Sequence, residues 1–263
     1  MMIKKILVLI AFTLTICTHV THGICCSKIE ELLKKKKNAF EVLCATGHNL
    51  PRGCCDDIKK GVTSYENAYK SLCVNVTGIL QDSSILKGKP KWISHIKKWL
   101  SSSLNGKKTV RCYRATVNGW AATTFHKNCD SKGPTLVLLK KGSYVFGAFA
   151  SQSWGGSSRY IRAPKSFIFS LKNKHGLPPF KSSPTKYPQY AMYTTSSYGP
   201  TFGAGHDIYI ANNAKSSSSS YTNFGQAYKL PSGYSYGSTK ARELLAGSYR
   251  FTLDEMEVFY FSS

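Results

Sequence analysis

The chain has 263 residues and carries 36 lysines and arginines against 13 aspartates and glutamates, so its formal net charge is +23 at pH 7. Such an excess of positive charge favours association with anionic polymers or membranes at low salt, although a solvated cationic surface that keeps a protein soluble has the same composition. The lysines are scattered, with no aromatic stacking motif or recognition helix, which excludes a recognisable nucleic-acid-binding module.

Residues 1–23 have the three regions of a secretory signal peptide. Lys4 and Lys5 precede an apolar run from Ile6 to Ile16, and Thr21–Gly23 forms a small-residue exit. The apolar core is too short to span a membrane, and a buried N-terminal helix is the alternative interpretation. No second apolar run of spanning length follows, so no transmembrane segment is predicted. We therefore expect a soluble mature chain that begins near Ile24, is secreted through the endoplasmic reticulum and keeps a charge of +21 without the two signal-peptide lysines.

Eight of the nine cysteines remain after the predicted signal peptide, because Cys17 leaves with it. An even number of cysteines in a secreted chain favours a disulfide framework. The disulfide candidates are Cys25, Cys26, Cys44, Cys54, Cys55, Cys73, Cys112 and Cys129. Metal binding is the weaker alternative, because neither adjacent cysteine pair has the C-x-x-C spacing of a zinc knuckle and an oxidising compartment favours disulfides.

Residues 24–80 contain an internal duplication. Cys25-Cys26 precedes Cys44, and Cys54-Cys55 precedes Cys73, with seventeen residues between the pair and the single cysteine in each copy. Apolar residues recur at helical spacing in both copies, which predicts a repeated helical unit. So short a module needs covalent bridges for its stability. Because a helix of seventeen residues is about 26 Å long, the bridges must join the two copies or the helices must break.

The sequence Asn75-Val76-Thr77 is the single N-x-S/T sequon of the chain. It follows Cys73, where a loop is expected. Entry into the secretory pathway would make Asn75 a glycosylation site.

The segment Asp82–Leu104 contains a break at Gly88 and Pro90 followed by an amphipathic helix. The apolar face comprises Trp92, Ile93, Ile96, Trp99 and Leu100. Such a basic amphipathic helix either binds a membrane surface or packs against the domain that follows it.

A strand, a turn, a short helix and a β-hairpin are predicted between residues 112 and 149. The strand Cys112–Ala115 ends in the turn Val117–Gly119, and Trp120, Phe125 and the aliphatic part of His126 then fit one helical face. The β-rich runs Thr135–Leu139 and Tyr144–Phe149 flank Lys140–Ser143, which indicates a hairpin.

Four further β-rich segments follow the hairpin: Ser166–Leu171, Pro200–Ile210, Ser220–Gly225 and Glu255–Phe261. Glycine, serine and proline predict surface loops at Trp154–Arg159, Leu177–Tyr190 and Ser216–Ser220. The alternation of short strands with turn residues is compatible with a β-sandwich.

From Ser83 to Phe261 the chain resembles the TLDc domain family, whose members include the eukaryotic oxidation-resistance proteins. The resemblance is carried by CYRATVNGWAATTFHKNCDSKGPTL, VFGAF, FGAGHDIYI and FTLDEMEVF, in the family's order and spacing. The family residues present are Arg114, Gly119, Phe125, His126, Asp130, Gly133, Phe146, Gly147, Phe202, Gly203, Gly205, Asp207 and Glu257. Cys112 departs from the aliphatic residue that is usual at its position.

The resemblance implies an α+β fold over residues 81–263, mostly a two-sheet β-sandwich with flanking helices. Members of the family carry a comparable helix before the first strand, which favours packing of the helix in Asp82–Leu104 against the sandwich. In intracellular relatives the domain is associated with protection against oxidative damage and with binding to the vacuolar proton pump. A secreted copy would lie across the membrane from the cytosolic sector of that pump, so we do not expect this partner here.

His126 and Cys129 are spaced for metal or thiol chemistry, but packing or capping is the favoured role for both. With Cys112 one strand away, we expect a Cys112–Cys129 disulfide, which would leave no redox thiol there. The sequence contains no nucleophile elbow, phosphate loop, dinucleotide fingerprint or diagnostic metal-ligand cluster, so no cofactor is expected.

Two pairs of residues are candidates for acid–base chemistry. His206 and Asp207 follow Gly203 and Gly205, which favour a bend or bulge in a strand. Neighbouring strand residues point to opposite faces, so we do not expect His206 and Asp207 to act on one substrate atom. Glu255 and Glu257 share one face of the last strand, and a paired-carboxylate hydrolase is the alternative interpretation.

These observations predict a secreted, non-enzymatic TLDc protein that acts as a cationic interaction module for an unknown protein or an anionic surface, with no nucleic acid as partner. One alternative is a secreted cationic host-defence or toxin-like protein that acts on anionic membranes. The other is a hydrolase that depends on His206, Asp207 or Glu257.

Overall fold

The structure, a computed structural model, describes residues 22–45, 53–69, 79–104 and 107–262. These residues form two compact units, one before position 78 and one after it. Most of the predicted signal peptide, together with Cys73 and the sequon at Asn75, lies outside the described residues.

The described residues of the first unit form two helices. Helix α1, His22–Phe40, continues into a π-helical turn, Glu41–Ala45, and helix α2 is Cys54–Tyr69. A disulfide between Cys44 and Cys55, with Cα atoms 5.7 Å apart, joins the first cysteine-containing copy to the second. The bridge joins the two copies, as expected. A disulfide from Cys44 to the cysteine pair at the start of its own copy would have to span a helix of about 26 Å. An ion pair of 2.6 Å between Lys37 and Glu66 also links the two helices.

The second unit contains twelve strands and four α-helices among its described residues. The helices are α3 Pro90–Leu104, α4 Ala115–Asn118, α5 Ala122–Cys129 and α6 Thr239–Glu243, with a 3-10 turn at Pro188–Tyr190. The strands are β1 Lys108–Arg114, β2 Thr135–Lys141, β3 Tyr144–Ala150, β4 Arg159–Ile161, β5 Phe167–Lys172, β6 Phe180–Ser182, β7 Met192–Thr194, β8 Thr201–Phe202, β9 Ile208–Tyr209, β10 Ser220–Tyr221, β11 Arg250–Phe251 and β12 Glu255–Ser262.

The strands form two antiparallel six-stranded sheets, which confirms the α+β fold with its two-sheet architecture. The first sheet has the order β1-β12-β2-β3-β5-β6, and the second has the order β11-β10-β9-β8-β7-β4. Side chains from both sheets share one buried core, for example Phe146 and Val258 of the first sheet with Met192 and Phe202 of the second. Burial of these apolar surfaces is the main stabilising contribution to the sandwich.

Helix α3 packs against the other face of the first sheet, as the sequence predicted. Ile96 and Leu100 are fully buried and share a second core with Leu138 and Phe169. The Trp99 and Phe169 rings lie 5.8 Å apart. The apolar face of α3 is therefore used within the domain. No described helix is both long enough and apolar enough to cross a bilayer.

Several local predictions were wrong. The predicted turn at Val117–Gly119 is the end of helix α4, and the predicted loop at Leu177–Tyr190 contains strand β6. The segment Pro200–Ile210 is not one strand, because a turn between β8 and β9 occupies residues 203–207. Trp154 does not begin a surface loop: it is buried, and its Nε1 donates a hydrogen bond of 2.8 Å to Thr135 Oγ1. The indole fills space between the sheets beside Phe125 and Phe202, which outweighs the loop composition around it.

Candidate functional site

Glu257, on β12, is a fully buried carboxylate that anchors the chain before α3. Its Oε2 accepts a hydrogen bond of 2.5 Å from Ser83 Oγ, and its Oε1 accepts from the amide and the hydroxyl of Ser84 at 2.8 and 2.9 Å. The guanidinium of Arg111 lies 3.8 Å from the same oxygen. Both oxygens of Glu257 are thus engaged in holding residues 83–84 to the first sheet.

Glu255 is held in a similar way on the same strand. Its Oε2 accepts hydrogen bonds of 2.9 Å from Arg114 Nε and 2.5 Å from Thr116 Oγ1. Burial on its own would raise the pKa of Glu255, but the hydrogen bonds from Thr116 and Arg114 hold it below its ordinary value. Arg114 also lies 3.9 Å from Glu257. The two carboxylates therefore belong to one network that joins β1, α4 and β12.

His126 connects α5 to two loops. Its Nδ1 lies 2.8 Å from Asp130 Oδ1, and its Nε2 lies 3.0 Å from the carbonyl oxygen of Tyr198. The Asp130 carboxylate in turn lies against Gly155, where an added Cβ would come within 2.9 Å of Oδ2. Both ring nitrogens of His126 are used in these contacts, so neither remains for a metal.

Cys129, one turn after His126, forms a disulfide with Cys112 of β1. The sulfur atoms are 2.04 Å apart and the Cα atoms 5.4 Å apart. The pairing that the sequence favoured is present, and it leaves no thiol beside His126. Among the described residues, no group of three or more histidine, cysteine, aspartate and glutamate side chains is placed to hold a metal ion.

Asp207 organises the loop that follows β10. Its fully buried carboxylate accepts hydrogen bonds from four consecutive backbone amides, those of residues 225–228, at 2.7 to 3.3 Å. Burial raises the pKa of Asp207 to about 6, although the four amides act in the opposite direction. The carboxylate is thus a structural centre of the loop.

His206 lies in the same turn but points away from Asp207. Its backbone is left-handed, with φ 63°. Its ring lies among tyrosine rings on the outer face of the second sheet, and Nδ1 has no hydrogen-bond partner. Burial lowers the pKa of His206 from its ordinary value, so the imidazole is neutral at pH 7. The two side chains are separated as expected, although a turn rather than a strand separates them.

Four tyrosines on the outer face of the second sheet stand at directly opposed strand positions. We call Tyr160, Tyr193, Tyr209 and Tyr221 the tyrosine row. The line of opposed positions crosses all six strands of the second sheet. In order across the sheet, the positions are Tyr160, Tyr193, Thr201, Tyr209, Tyr221 and Arg250. Their strand neighbours Met192, Phe202, Ile208 and Phe251 point inward to the core.

The rings of this row are in contact. Ring centroids are 4.9 Å apart for Tyr160 and Tyr193, and 5.1 Å apart for Tyr209 and Tyr221. The His206 ring lies 5.3 Å from Tyr193 and 5.8 Å from Tyr209, so it bridges the position where the strand provides only Thr201. The result is a continuous line of partly exposed rings from β4 to β10.

Cationic groups lie at one end of the row. Tyr249 contacts Tyr221 with centroids 5.7 Å apart, and the guanidinium groups of Arg242 and Arg250 lie 4.8 and 5.8 Å from the Tyr249 centroid. Burial, followed by the neighbouring tyrosines, raises the pKa of Tyr221 to about 12, and burial also raises that of Tyr209. These phenols therefore stay protonated and can donate hydrogen bonds at physiological pH.

The sequence analysis missed the tyrosine row. Tyr160 and Tyr193 lie on β4 and β7, which were not predicted, and the register that aligns the row joins segments that are far apart in the chain. The available signal was the content of 16 tyrosines, but no local pattern in the sequence aligns the four members of the row.

Comparison with known proteins agrees with this architecture. The TLDc domain model matches residues 79–262 of this chain. The MTOR-associated protein MEAK7 of Danio rerio is 36% identical over 61 residues, which make up 22% of this chain and 13% of that relative. That alignment is therefore confined to a small part of the relative. The domain match covers well over half of the 263 residues, and the chain belongs to the TLDc domain family.

Proposed function

We propose that this TLDc protein is a secreted, non-enzymatic binding module whose positive surface associates with an anionic partner. The observation that carries the proposal is the distribution of charge in the second unit. Its described residues include 25 lysines and arginines against seven aspartates and glutamates. An imbalance of this size gives long-range attraction for anions.

The acidic side chains of this unit contribute little negative charge to its surface. Asp207, Glu255 and Glu257 are buried within the fold. Three more are engaged at or near the surface: Asp130 with His126, Glu243 with Lys174, and Asp254 with Lys215. Asp82 is the remaining carboxylate among the described residues of the unit, and it is exposed. The field outside the unit is therefore dominated by its cations.

Lys140 and Lys172 form a cationic pair near one end of the first sheet. Both lie directly opposite Val145, on the two strands that flank it, and both are exposed. Two strand spacings put their backbones about 10 Å apart. Lys141, which we also placed in the predicted hairpin loop, instead donates a hydrogen bond of 3.2 Å to Thr252 Oγ1. The pair Lys140 and Lys172 is therefore the better target for charge reversal.

The absence of catalysis in this proposal is supported by the roles of the former catalytic candidates. Asp207, Glu255 and Glu257 make hydrogen bonds that hold residues 225–228, helix α4 and residues 83–84 in place. His206 points away from Asp207, among tyrosine rings. Secretion is supported by the predicted signal peptide. The disulfides Cys44–Cys55 and Cys112–Cys129 also suit an oxidising compartment.

Binding of purified protein to poly-L-glutamate tests the proposal. We expect measurable affinity at low ionic strength, a several-fold loss for Lys140→Glu/Lys172→Glu, and wild-type affinity for the charge-preserving control Lys140→Arg/Lys172→Arg. Poly-L-glutamate carries negative charge but no aromatic or sugar rings, so its affinity reports the electrostatic contribution to binding. The proposal fails if wild-type protein shows no affinity, or if charge reversal leaves the affinity unchanged.

A further inference from the structure

The tyrosine row has the dimensions of a binding track for a linear polymer. Adjacent strands lie about 4.8 Å apart, so a line of six opposed positions extends over roughly 24 Å. The repeat between strands is close to the length of one sugar ring in an extended polysaccharide. A glycan chain that runs across the strands would therefore place successive sugars over successive positions of the row.

The chemistry of the row suits a ligand that is rich in hydroxyl groups. Each tyrosine offers an apolar ring and a phenol that donates and accepts hydrogen bonds. Tyr160 is 38% exposed, and Tyr193, Tyr209 and Tyr221 are half-buried, so part of each side chain is accessible to a ligand. Neutral His206 fills the gap above Thr201 without adding charge.

Charge at one end of the row indicates that the ligand is anionic. Arg250 occupies the last position of the line, and Arg242 lies beside it over the Tyr249 ring. None of the six aligned positions carries a carboxylate. Sulfate or carboxylate groups on the polymer would meet these two arginines.

The same face suits the bases of a single-stranded nucleic acid less well. Binding of that kind depends on ring faces that are free for stacking and on cations that follow the phosphate backbone. Here the rings already pack against one another, with interplanar angles of 62° for Tyr160 and Tyr193 and 40° for Tyr209 and Tyr221. Arg242 and Arg250 lie at one end of the row, so a repeating phosphate backbone would meet arginines only there.

We propose that the tyrosine row binds an anionic polysaccharide that runs across the strands of the second sheet. The inference rests on the proposed binding function and specifies the partner's chemical class. The rings contact the sugars, the phenols hydrogen-bond to their hydroxyl groups, and Arg242 and Arg250 pair with the anionic substituents.

The test compares the affinity of the full chain for four probes at physiological ionic strength. The probes are a heparin oligosaccharide long enough to span the row, poly-L-glutamate, oligo-dT and phosphatidylserine vesicles. The principal variant is Tyr209→Ser/Tyr221→Ser, and Tyr160→Ser is a second variant at a more exposed position. The matched control is Tyr260→Ser, because Tyr260 is also partly buried but belongs to the first sheet.

We expect the double variant to lose roughly tenfold or more in heparin affinity while its affinity for poly-L-glutamate stays at the wild-type level. The variant Tyr209→Phe/Tyr221→Phe keeps the rings and should lose less. Circular dichroism in the near ultraviolet establishes that each variant is folded. If the double variant does not fold, Tyr160→Ser, which removes a ring at the sheet edge, decides the question by the same comparison.

Other outcomes overturn the inference in distinguishable ways. If the row variants bind both heparin and poly-L-glutamate with wild-type affinity, the tyrosine row is not a polysaccharide-binding site, but the proposed function is not contradicted. If the row variants lose more affinity for oligo-dT or for vesicles than for heparin, the row binds nucleic acid or lipid instead of a polysaccharide. Failure of the wild-type chain to bind any of the four probes, at low as well as physiological ionic strength, contradicts the proposed function itself.

Discussion

Gly203 lies against Asp207 so closely that a Cβ on Gly203 would come within 2.0 Å of the Asp207 Oδ2 atom. The backbone of Gly203 also has φ +87°, in the left-handed region that favours glycine. The turn between β8 and β9 therefore needs a residue without a side chain for two separate reasons. The same turn sends Asp207 inward and His206 outward.

We predict that Gly203→Ala lowers the free energy of unfolding by more than about 3 kcal/mol, because strain and steric overlap with a buried carboxylate add together. Urea denaturation of the second unit measures this change. Gly176→Ala is the matched control, since Gly176 has φ +69° but nothing within 4 Å of an added Cβ. Gly176→Ala should lower the free energy of unfolding by about 1 kcal/mol. Equal losses in the two variants would mean that the contact with Asp207 is unimportant.

A second prediction concerns the pH dependence of stability. Burial raises the folded-state pKa of Asp207 to about 6, from an ordinary value of 3.8. Between these values the folded state binds more protons than the unfolded state, so the free energy of unfolding falls as pH rises. The contribution is fully present below about pH 4 and is lost by about pH 6, with a size on the order of 3 kcal/mol.

Asp207→Asn should remove this pH-dependent contribution. The measurement is the difference in free energy of unfolding between wild type and variant from pH 4 to pH 7. We expect the wild type to lose stability relative to the variant over that range. A difference that is constant with pH, or that changes in the opposite sense, contradicts a raised pKa at Asp207.

The contact between Ser83 and Glu257 should stabilise the fold measurably, because it joins residues that are 174 positions apart. Glu257→Ala leaves the Ser84 amide and two serine hydroxyls without their acceptor, and we expect a loss of about 3–5 kcal/mol. A double-mutant cycle with Ser83→Ala should give a coupling energy of about 1 kcal/mol or more. A coupling near zero, with Glu257→Ala as stable as wild type, would reopen a catalytic role for this carboxylate.

Reduction should weaken the second unit without unfolding it. The Cys112–Cys129 disulfide closes a loop with a sequence separation of 17. A loop of this length contributes about 3 kcal/mol in the chain-entropy account. The variant Cys112→Ala/Cys129→Ala should therefore have a lower Tm but retain its near-ultraviolet circular dichroism. Loss of that signal at room temperature would show that the two apolar cores do not sustain the unit without its bridge.

The parts of the fold that could be predicted from sequence are those with strong local patterns. Strands β2, β3 and β12 are rich in aliphatic and aromatic residues, and the turn between β2 and β3 contains Gly142. Helix α3 shows its apolar face directly in the spacing of Ile96 and Leu100. These elements belong to the first sheet and to the second core beside it. There the secondary structure that the local sequence favours is also the one that buries its apolar residues.

The second sheet could not be predicted in the same way, because its strands are only two or three residues long. Such short strands carry almost no periodicity, and their register depends on partners elsewhere in the chain. The glycines before His206 and Asp207 did indicate a backbone break, but their left-handed conformation, which makes a turn, is visible only in the structure. The tyrosine row follows from that register and was invisible for the same reason.

The most direct test of the central claim, that the second unit binds an anionic partner through its positive charge, is the salt dependence of the dissociation constant for poly-L-glutamate. We predict a steep linear loss of log affinity with log salt concentration as the Debye length falls below about 10 Å, with a smaller slope for Lys140→Glu/Lys172→Glu. An affinity that stays constant from low to high salt, or an identical slope in the charge-reversed variant, would contradict the account.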